Sequence, residues 1–214
     1  MVNLILIGPP ASGKGTQAKY IVKKYNYFQL STGDLLRDEI KKQTKLGEEI
    51  SKKIDKGEFV NDQIVNTLLN NVITDKSKRN KIIFDGYPRN LSQAKNLEVL
   101  LKGDKQTVGS IIYLNLSKDE ISKRISGRYI CEKCNRTLNE FTDNEEFTTH
   151  KCDKKYLKKR PDDNKDTILK RYDTYVLQTK PVLDYYSLNP NFNEIDGSLK
   201  IDQIMSKIDE IVNV

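Results

Sequence analysis

Nine residues near the start of the chain, Gly8-Pro9-Pro10-Ala11-Ser12-Gly13-Lys14-Gly15-Thr16, separate an apolar run at 4–7 from a stretch that places Ala18, Ile21, Val22 and Tyr25 on one helical face. In a glycine-rich turn between a strand and a helix, backbone N–H groups and the positive helix end converge on a phosphate. Gly8 and Gly13 carry no Cβ to obstruct that approach, and Lys14 is spaced to meet β and γ phosphates. The Ser or Thr that ordinarily follows the lysine and touches magnesium is Gly15 here, with Thr16 next. Asp85, after the apolar run at 82–84, offers a carboxylate that could hold the water shell of Mg²⁺ beside such a loop, or cap a turn.

A second candidate chemistry lies in the cations. Of 37 basic residues only eight are Arg, at 37, 79, 89, 124, 128, 136, 160 and 171. In so Lys-rich a chain each Arg is a candidate for the planar, two-pronged grip on phosphate that Lys lacks. A third lies in the thiols: Cys131, Cys134 and Cys152, all the cysteines present, fall between 131 and 152 together with the only histidine, His150. Cys131-x-x-Cys134 is a knuckle spacing for tetrahedral zinc, and a cytosolic address favours a metal over disulfides.

The elements that must position these groups alternate. Apolar strand candidates at 4–7, 28–30, 82–84, 111–114 and 192–195 are separated by helical or polar sequence, not hairpin turns, which predicts a mainly parallel sheet covered on both faces. Helices are expected at 34–57, 62–73, 91–101 and 201–212. A longer one, capped by Asp162 or Asp163, would carry Ile168, Leu169, Tyr172 and Val176, with Pro181 kinking it or ending its first part. Arg124 and Arg128, four apart, would share a face if one helix runs through both. Residues 127–160 are polar and poor in aliphatic side chains, as in an insertion with too little core to fold unaided.

Composition agrees with one folded domain. The 214 residues are 36% hydrophobic and 31% charged, with 11 Gly and 6 Pro, which excludes collagen-like and low-complexity classes. No run approaches the ~20 apolar residues of a membrane span. MVNLILIGPP lacks a basic signal-peptide n-region, so a soluble cytoplasmic protein is expected. The net charge of +7 suits polyanionic partners without choosing among nucleotide, nucleic acid and membrane surface.

The segments GPPASGKGTQA, STGDLLR (31–37), FDGYPRN (84–90) with Gln93, RISGR (124–128) and RPDDN (160–164) with Arg171 occur in the order and at the spacing of adenylate kinases, a family the chain resembles over essentially its whole length. The resemblance implies an α/β fold of P-loop NTPase type, a parallel sheet flanked by helices. The core would comprise 1–30, 61–126 and 162–214, with a helical AMP-binding arm at 31–60 and a zinc-type lid at 127–161. It implies reversible phosphoryl transfer from MgATP to AMP giving two ADP, by a monomer with no nucleic-acid or membrane partner. ATP would be held at Gly8, Ala11, Ser12, Gly13, Lys14, Gly15, Thr16, Arg124, Arg128 and Thr137. AMP would be held at Thr32, Arg37, Glu58, Phe59, Val60, Gly86, Tyr87, Pro88, Arg89, Gln93, Arg160 and Arg171. The catalytic set would be Lys14, Arg89, Arg124, Arg160 and Arg171, with no general base, because a phosphate oxygen is already ionised.

Thr32, just before a helix, reads equally as an N-cap, and Gln93 offers a donor and an acceptor to an adenine edge. Lids of this type carry a second Cys pair just before the arginine matching Arg160. Here Cys152 fits one member, while Thr149 and Lys155 occupy the two possible partner positions. His150, in preference to Asp153, is the expected fourth ligand of a structural zinc. Two other readings are a kinase for UMP, CMP or GMP, and a nucleic-acid module under a nucleotide switch. The latter lacks an aromatic-basic strand motif.

Overall fold

The computed structural model describes residues 2–56, 58–142, 144–159 and 165–212. Its centre is β1 (Asn3–Ile7), in which every residue is buried. Alternation along that strand feeds two cores. Leu4 and Leu6 pack with Ala18, Ile21, Ile204 and Ile208 on one face of the sheet, and Ile5 and Ile7 with Leu36, Ile50, Leu69, Leu97 and Val182 on the other. Strands β2 (Phe28–Ser31), β3 (Ile82–Asp85), β4 (Val108–Asn115) and β8 (Phe192–Asp196) join it in the order β2-β3-β1-β4-β8, every pair parallel. All five predicted strands are present. A parallel sheet buried on both faces explains why they read as continuous apolar runs.

Helix α1 (Lys14–Tyr25) leaves β1, and α2 (Thr32–Lys41) leaves β2. The single helix expected at 34–57 is two, because α3 (Lys45–Asp55) starts afresh. Gln43 turns left-handed at φ 54°, and the Thr44 hydroxyl caps α3 by accepting the Gly47 N–H at 3.1 Å. Gly47 lets the two helices cross closely: a Cβ there would lie 2.6 Å from the Glu39 carbonyl oxygen. Helices α4 (Asp62–Ile73), α5 (Leu91–Gly103) and α10 (Ile201–Val212) match their periodicity.

Helix α6 (Lys118–Ser126) stops at Gly127, and Arg128 opens β5 (Arg128–Cys131). Arg124 and Arg128 therefore do not share a helical face, contrary to the expectation from their spacing. With β6 (Thr137–Asn139) and β7 (Leu157–Lys158), β5 forms a small antiparallel sheet, and the short α7 (Asn144–Thr148) follows β6. The break expected at Pro181 falls immediately before it. Helix α8 (Lys165–Thr174) passes through a π-helical turn (Tyr175–Thr179) into α9 (Lys180–Ser187), whose first turn accepts the proline. The expected caps Asp162 and Asp163 lie outside the described residues. No helix among the described residues is long and apolar enough to cross a membrane.

One buried polar junction registers the sheet. The Asn3 Oδ1 accepts the Ile82 N–H at 3.0 Å, while its Nδ2 donates to Gln106 Oε1 and the Thr107 carbonyl, both at 3.1 Å. Asn3→Ala would strand an N–H and two acceptors in the interior, at a cost of about 2–4 kcal/mol. Thermal unfolding should fall by roughly 5–12 °C for a chain of this size, and a loss under 2 °C would show that the junction does not hold the strands.

Candidate active site at the carboxyl edge of the sheet

The C-terminal ends of β1, β2 and β3 lead into most of the candidate residues, as expected of ligand sites in open parallel sheets. After β1 the chain turns left-handed at Ala11 (φ 60°) and Gly13 (φ 94°) before α1 begins. Gly13 has open space where a Cβ would lie, so its role is conformational and leaves room for an anion. Gly8 serves a different purpose from the one expected. A Cβ there would lie 2.6 Å from both the Leu114 carbonyl oxygen and Ser12 Oγ, so it permits close packing of the loop on β4. The Lys14 ammonium donates to the Gly8 and Pro9 carbonyls at 2.7 and 2.9 Å and to Ser12 Oγ at 3.3 Å.

Lys14 is not an isolated cation. Burial lowers its pKa to about 8, with Asp85 opposing the shift and Arg89, Arg171 and Arg128 adding to it. Burial also lowers Arg89 to about 10, and repulsion from Arg171 and Arg37 contributes. Arg89, Arg171 and Arg128 thus act on Lys14, and Arg171 and Arg37 on Arg89, linking positive groups from α1, α2, the β3–α5 connection, β5 and α8. That arrangement is costly unless an anion occupies it. Asp85, buried at the end of β3 and level with Leu6, is the carboxylate among them. Its Oδ2 accepts Gln29 Nε2 at 2.8 Å, burial pushes its pKa up, and Lys14 holds it down. It faces the loop: a Cβ on Gly15 would be 3.8 Å from Oδ2.

A second subsite adjoins the first. Ser31, not Thr32, caps α2, its hydroxyl accepting the Asp34 N–H at 3.3 Å. Thr32 is thereby released to donate its hydroxyl to the Gly86 carbonyl at 2.8 Å. Arg89 Nε donates to the same carbonyl at 2.6 Å, with its Nη2 3.4 Å from Thr32 Oγ1 and its guanidinium over the Phe59 ring at 5.3 Å. Gly86 takes φ 74°, and the Tyr87–Pro88 bond is cis. Tyr87 is buried with its hydroxyl on Asn66 and the Gln93 carbonyl at 3.1 and 3.2 Å. Arg37 pairs with Asp34 on its own helix.

Glu58, Phe59 and Val60 line an open cavity of about 580 Å³, with Asp62, Asn90 and Gln178 among the other walls. Glu58 is ion-paired to Lys53 at 2.7 Å, which holds its carboxyl below the ordinary range. Gln93 differs from an amide on an exposed helix. It is buried, its Oε1 accepting the Arg89 N–H at 2.7 Å and its Nε2 donating to Asp62 at 2.6 Å.

Arg124 donates to the Gly197 carbonyl at 2.7 Å, and its buried Nε has no partner among the described residues. Burial lowers its pKa. Thr137 is exposed at the start of β6, Arg171 lies in the last turn of α8, and Arg160 lies outside the described residues. Of the two arginines without a predicted role, Arg79 donates to the Asp104 and Lys105 carbonyls. Gln29, Asp62 and Thr179, which donates to the Arg89 carbonyl at 2.8 Å, were not legible in the sequence. Their partners are far away in the chain, and no local motif marks them.

The ligand atoms of Cys131, Cys134, His150 and Cys152 all lie within 4.8 Å of one another, and the thiols are free. Cys134 Sγ is 3.7 Å from His150 Nε2, against about 3.6 Å for the S···N edge of a tetrahedron with Zn–S and Zn–N bonds of about 2.3 and 2.05 Å. The His150 Nδ1 is buried without a partner among the described residues. Asp153 instead caps the turn at 154–156 by accepting the Lys155 N–H at 2.9 Å. The group could hold a metal ion.

Residues 6–190 match the family model described as adenylate kinase. The chain is 59% identical over 213 residues to an adenylate kinase of Pelagibacter ubique, with both chains covered completely. It is 36% identical to one of Rhizobium etli, covering 99% of each, and 39% identical to one of Borrelia garinii, covering 99% of this chain and 98% of the other. A family match over most of the chain, on a fold whose candidate residues meet at one sheet edge, makes it a member of the adenylate kinase family.

Proposed function

We propose that the chain moves a phosphoryl group reversibly between MgATP and AMP, giving two ADP, with the residues at the sheet edge as its machinery. The observation that carries this reading is the convergence of Lys14, Arg37, Arg89, Arg128 and Arg171 beside one buried carboxylate. Phosphoryl transfer asks chiefly for in-line positioning and neutralisation of spread charge. Lys14 and the N–H groups of Gly8, Ala11, Ser12, Gly13, Gly15 and Thr16 would hold the β and γ phosphates, with Arg124, Arg128 and Thr137 on the ATP side. Arg37 and Arg89 would grip the AMP phosphate beside Thr32 and residues 86–88, with Glu58, Phe59, Val60 and Gln93 around the base. Arg160 and Arg171 would meet the transferring group.

Magnesium, when bound, would supply Lewis-acid neutralisation of the phosphate charge. Asp85 fits as the holder of its water shell, being a buried carboxylate next to Lys14 with one protein donor on Oδ2. Cys131, Cys134, His150 and Cys152 fit a closed tetrahedral zinc site, a structural staple where few apolar groups are buried. The chain would divide into a core at 1–30, 61–126 and 162–214, an AMP arm at 31–60 and a lid at 127–161. Lid closure would exclude the water that otherwise accepts the phosphoryl group. Free thiols suit a cytoplasmic address, and a monomer contains every element of the proposed site.

A coupled assay with ATP and each of AMP, UMP, CMP and GMP should show AMP as the strongly preferred acceptor; preference for another monophosphate would reassign the base site. Arg89→Ala should lower turnover by at least ~10²-fold with an unchanged fold, and near-normal turnover would remove it from the machinery. Because Lys14 is charged below about pH 8 and loses its proton above it, ATP affinity should weaken about eightfold from pH 7.5 to 9. Lys14→Met should show weak, pH-independent binding over that range. Metal analysis of protein purified without chelator should give one zinc per chain. Its removal should lower the melting temperature by about 5 °C or more, whereas a metal-free protein with unchanged melting would exclude the staple.

A further inference from the structure

The carboxamide of Gln93 is held at both ends. Its Oε1 accepts the Arg89 backbone N–H at 2.7 Å, and its Nε2 donates to Asp62 Oδ1 at 2.6 Å. Turning the amide over would set N–H against N–H at Arg89 and oxygen against carboxylate at Asp62. Both contacts would become repulsive in a buried site. Asp62 is itself fixed, accepting from Asn90 Nδ2 with both oxygens at 3.3 Å, and Asp62 and Asn90 both line the 580 Å³ cavity. By donor and acceptor count, Oε1 keeps one lone pair and Nε2 one hydrogen for a ligand.

We infer that Asp62 is a specificity-determining positioning residue that locks the Gln93 amide in the orientation matching a 6-aminopurine and mismatching a 6-oxopurine. The inference rests on the proposed placement of the AMP base beside Gln93. Adenine presents a donor at its 6-amino group next to an acceptor at N1, which an amide with a fixed oxygen and nitrogen order can meet at both atoms. Hypoxanthine reverses both, presenting an acceptor at O6 and a donor at N1, and is met only by the turned-over amide. Where a site is built around hydrogen bonds, such a mismatch discriminates more strongly than shape, because buried polar groups are left unpaired. Arg89 supplies one end of the lock through its backbone N–H, which side-chain substitution leaves in place. Asp62 is the end that can be altered.

AMP and IMP differ at this edge of the base, so their kcat/KM ratio reads the lock directly. Wild type should prefer AMP strongly. In Asp62→Asn, whose amide can turn to satisfy either orientation of Gln93, the preference should fall about tenfold or more, through a lower KM for IMP and a higher KM for AMP with kcat for AMP little changed. Asp62→Ser, which has no charge to repel Oε1, should behave alike. Loss of helix stability from removing an acidic residue in the first turn of α4 would weaken both acceptors together and leave the ratio unmoved. A ratio within twofold of wild type in both variants, or a wild type that uses IMP as well as AMP, overturns the inference. Absence of wild-type transfer to AMP would instead overturn the proposed function.

Discussion

Positive charge gathered in a low-dielectric pocket is the constraint around which the molecule is organised. Lys14, Arg89 and Arg124 are each depressed by burial, and Lys14 and Arg89 further by neighbouring guanidinium groups. The fold keeps these groups tolerable by lending them backbone oxygen. Lys14 takes carbonyls of its own loop, Arg89 takes Gly86, and Arg124 takes Gly197. Each is a neutral acceptor on a main chain fixed by strand or turn, so Lys14 and Arg89 stay within each other's field with Asp85 as the carboxylate acting on both. An arriving anion therefore meets charge that is already assembled.

That arrangement explains the architecture around it. Groups from five separate segments can meet only where the chain returns repeatedly to one edge, and a parallel sheet delivers every strand end to the same side. The buried Asn3 junction and the two-sided apolar core hold that edge in register. The small sheet of β5, β6 and β7 has no comparable core. Its buried apolar residues among those described are Cys131 and Leu138, and its cysteine and histidine side chains gather instead at one point.

The sequence shows the parts whose causes are local. Continuous apolar runs reveal the strands and period-3.6 patterning most helices, the loop at 8–16 reveals its own context, and the crowding of three thiols with the only histidine anticipates a cluster that the fold does assemble. The break between α2 and α3 is legible only in retrospect, because Thr44 capping and the Gly47 crossing need the neighbouring helix to give them meaning. The spacing of Arg124 and Arg128 misleads for a related reason: helical periodicity assumes that the helix continues, and Gly127 ends it. Thr32 shows the reverse case, in which the neighbouring Ser31 takes the capping role that local reasoning assigns to it. The roles of Asp62, Gln29 and Thr179 depend on partners tens of residues away and have no local signature.

The widened turn at 175–179 sets a rotational phase. Eight residues separate Arg171 from Thr179, and along a regular α-helix they would point roughly 80° apart. The looser winding of a π turn takes back most of that angle, so one continuous rod can direct both a charge and a hydroxyl to Arg89, one acting on its guanidinium and the other on its carbonyl. Winding the same residues as a regular α-helix would aim one of its two contacts elsewhere.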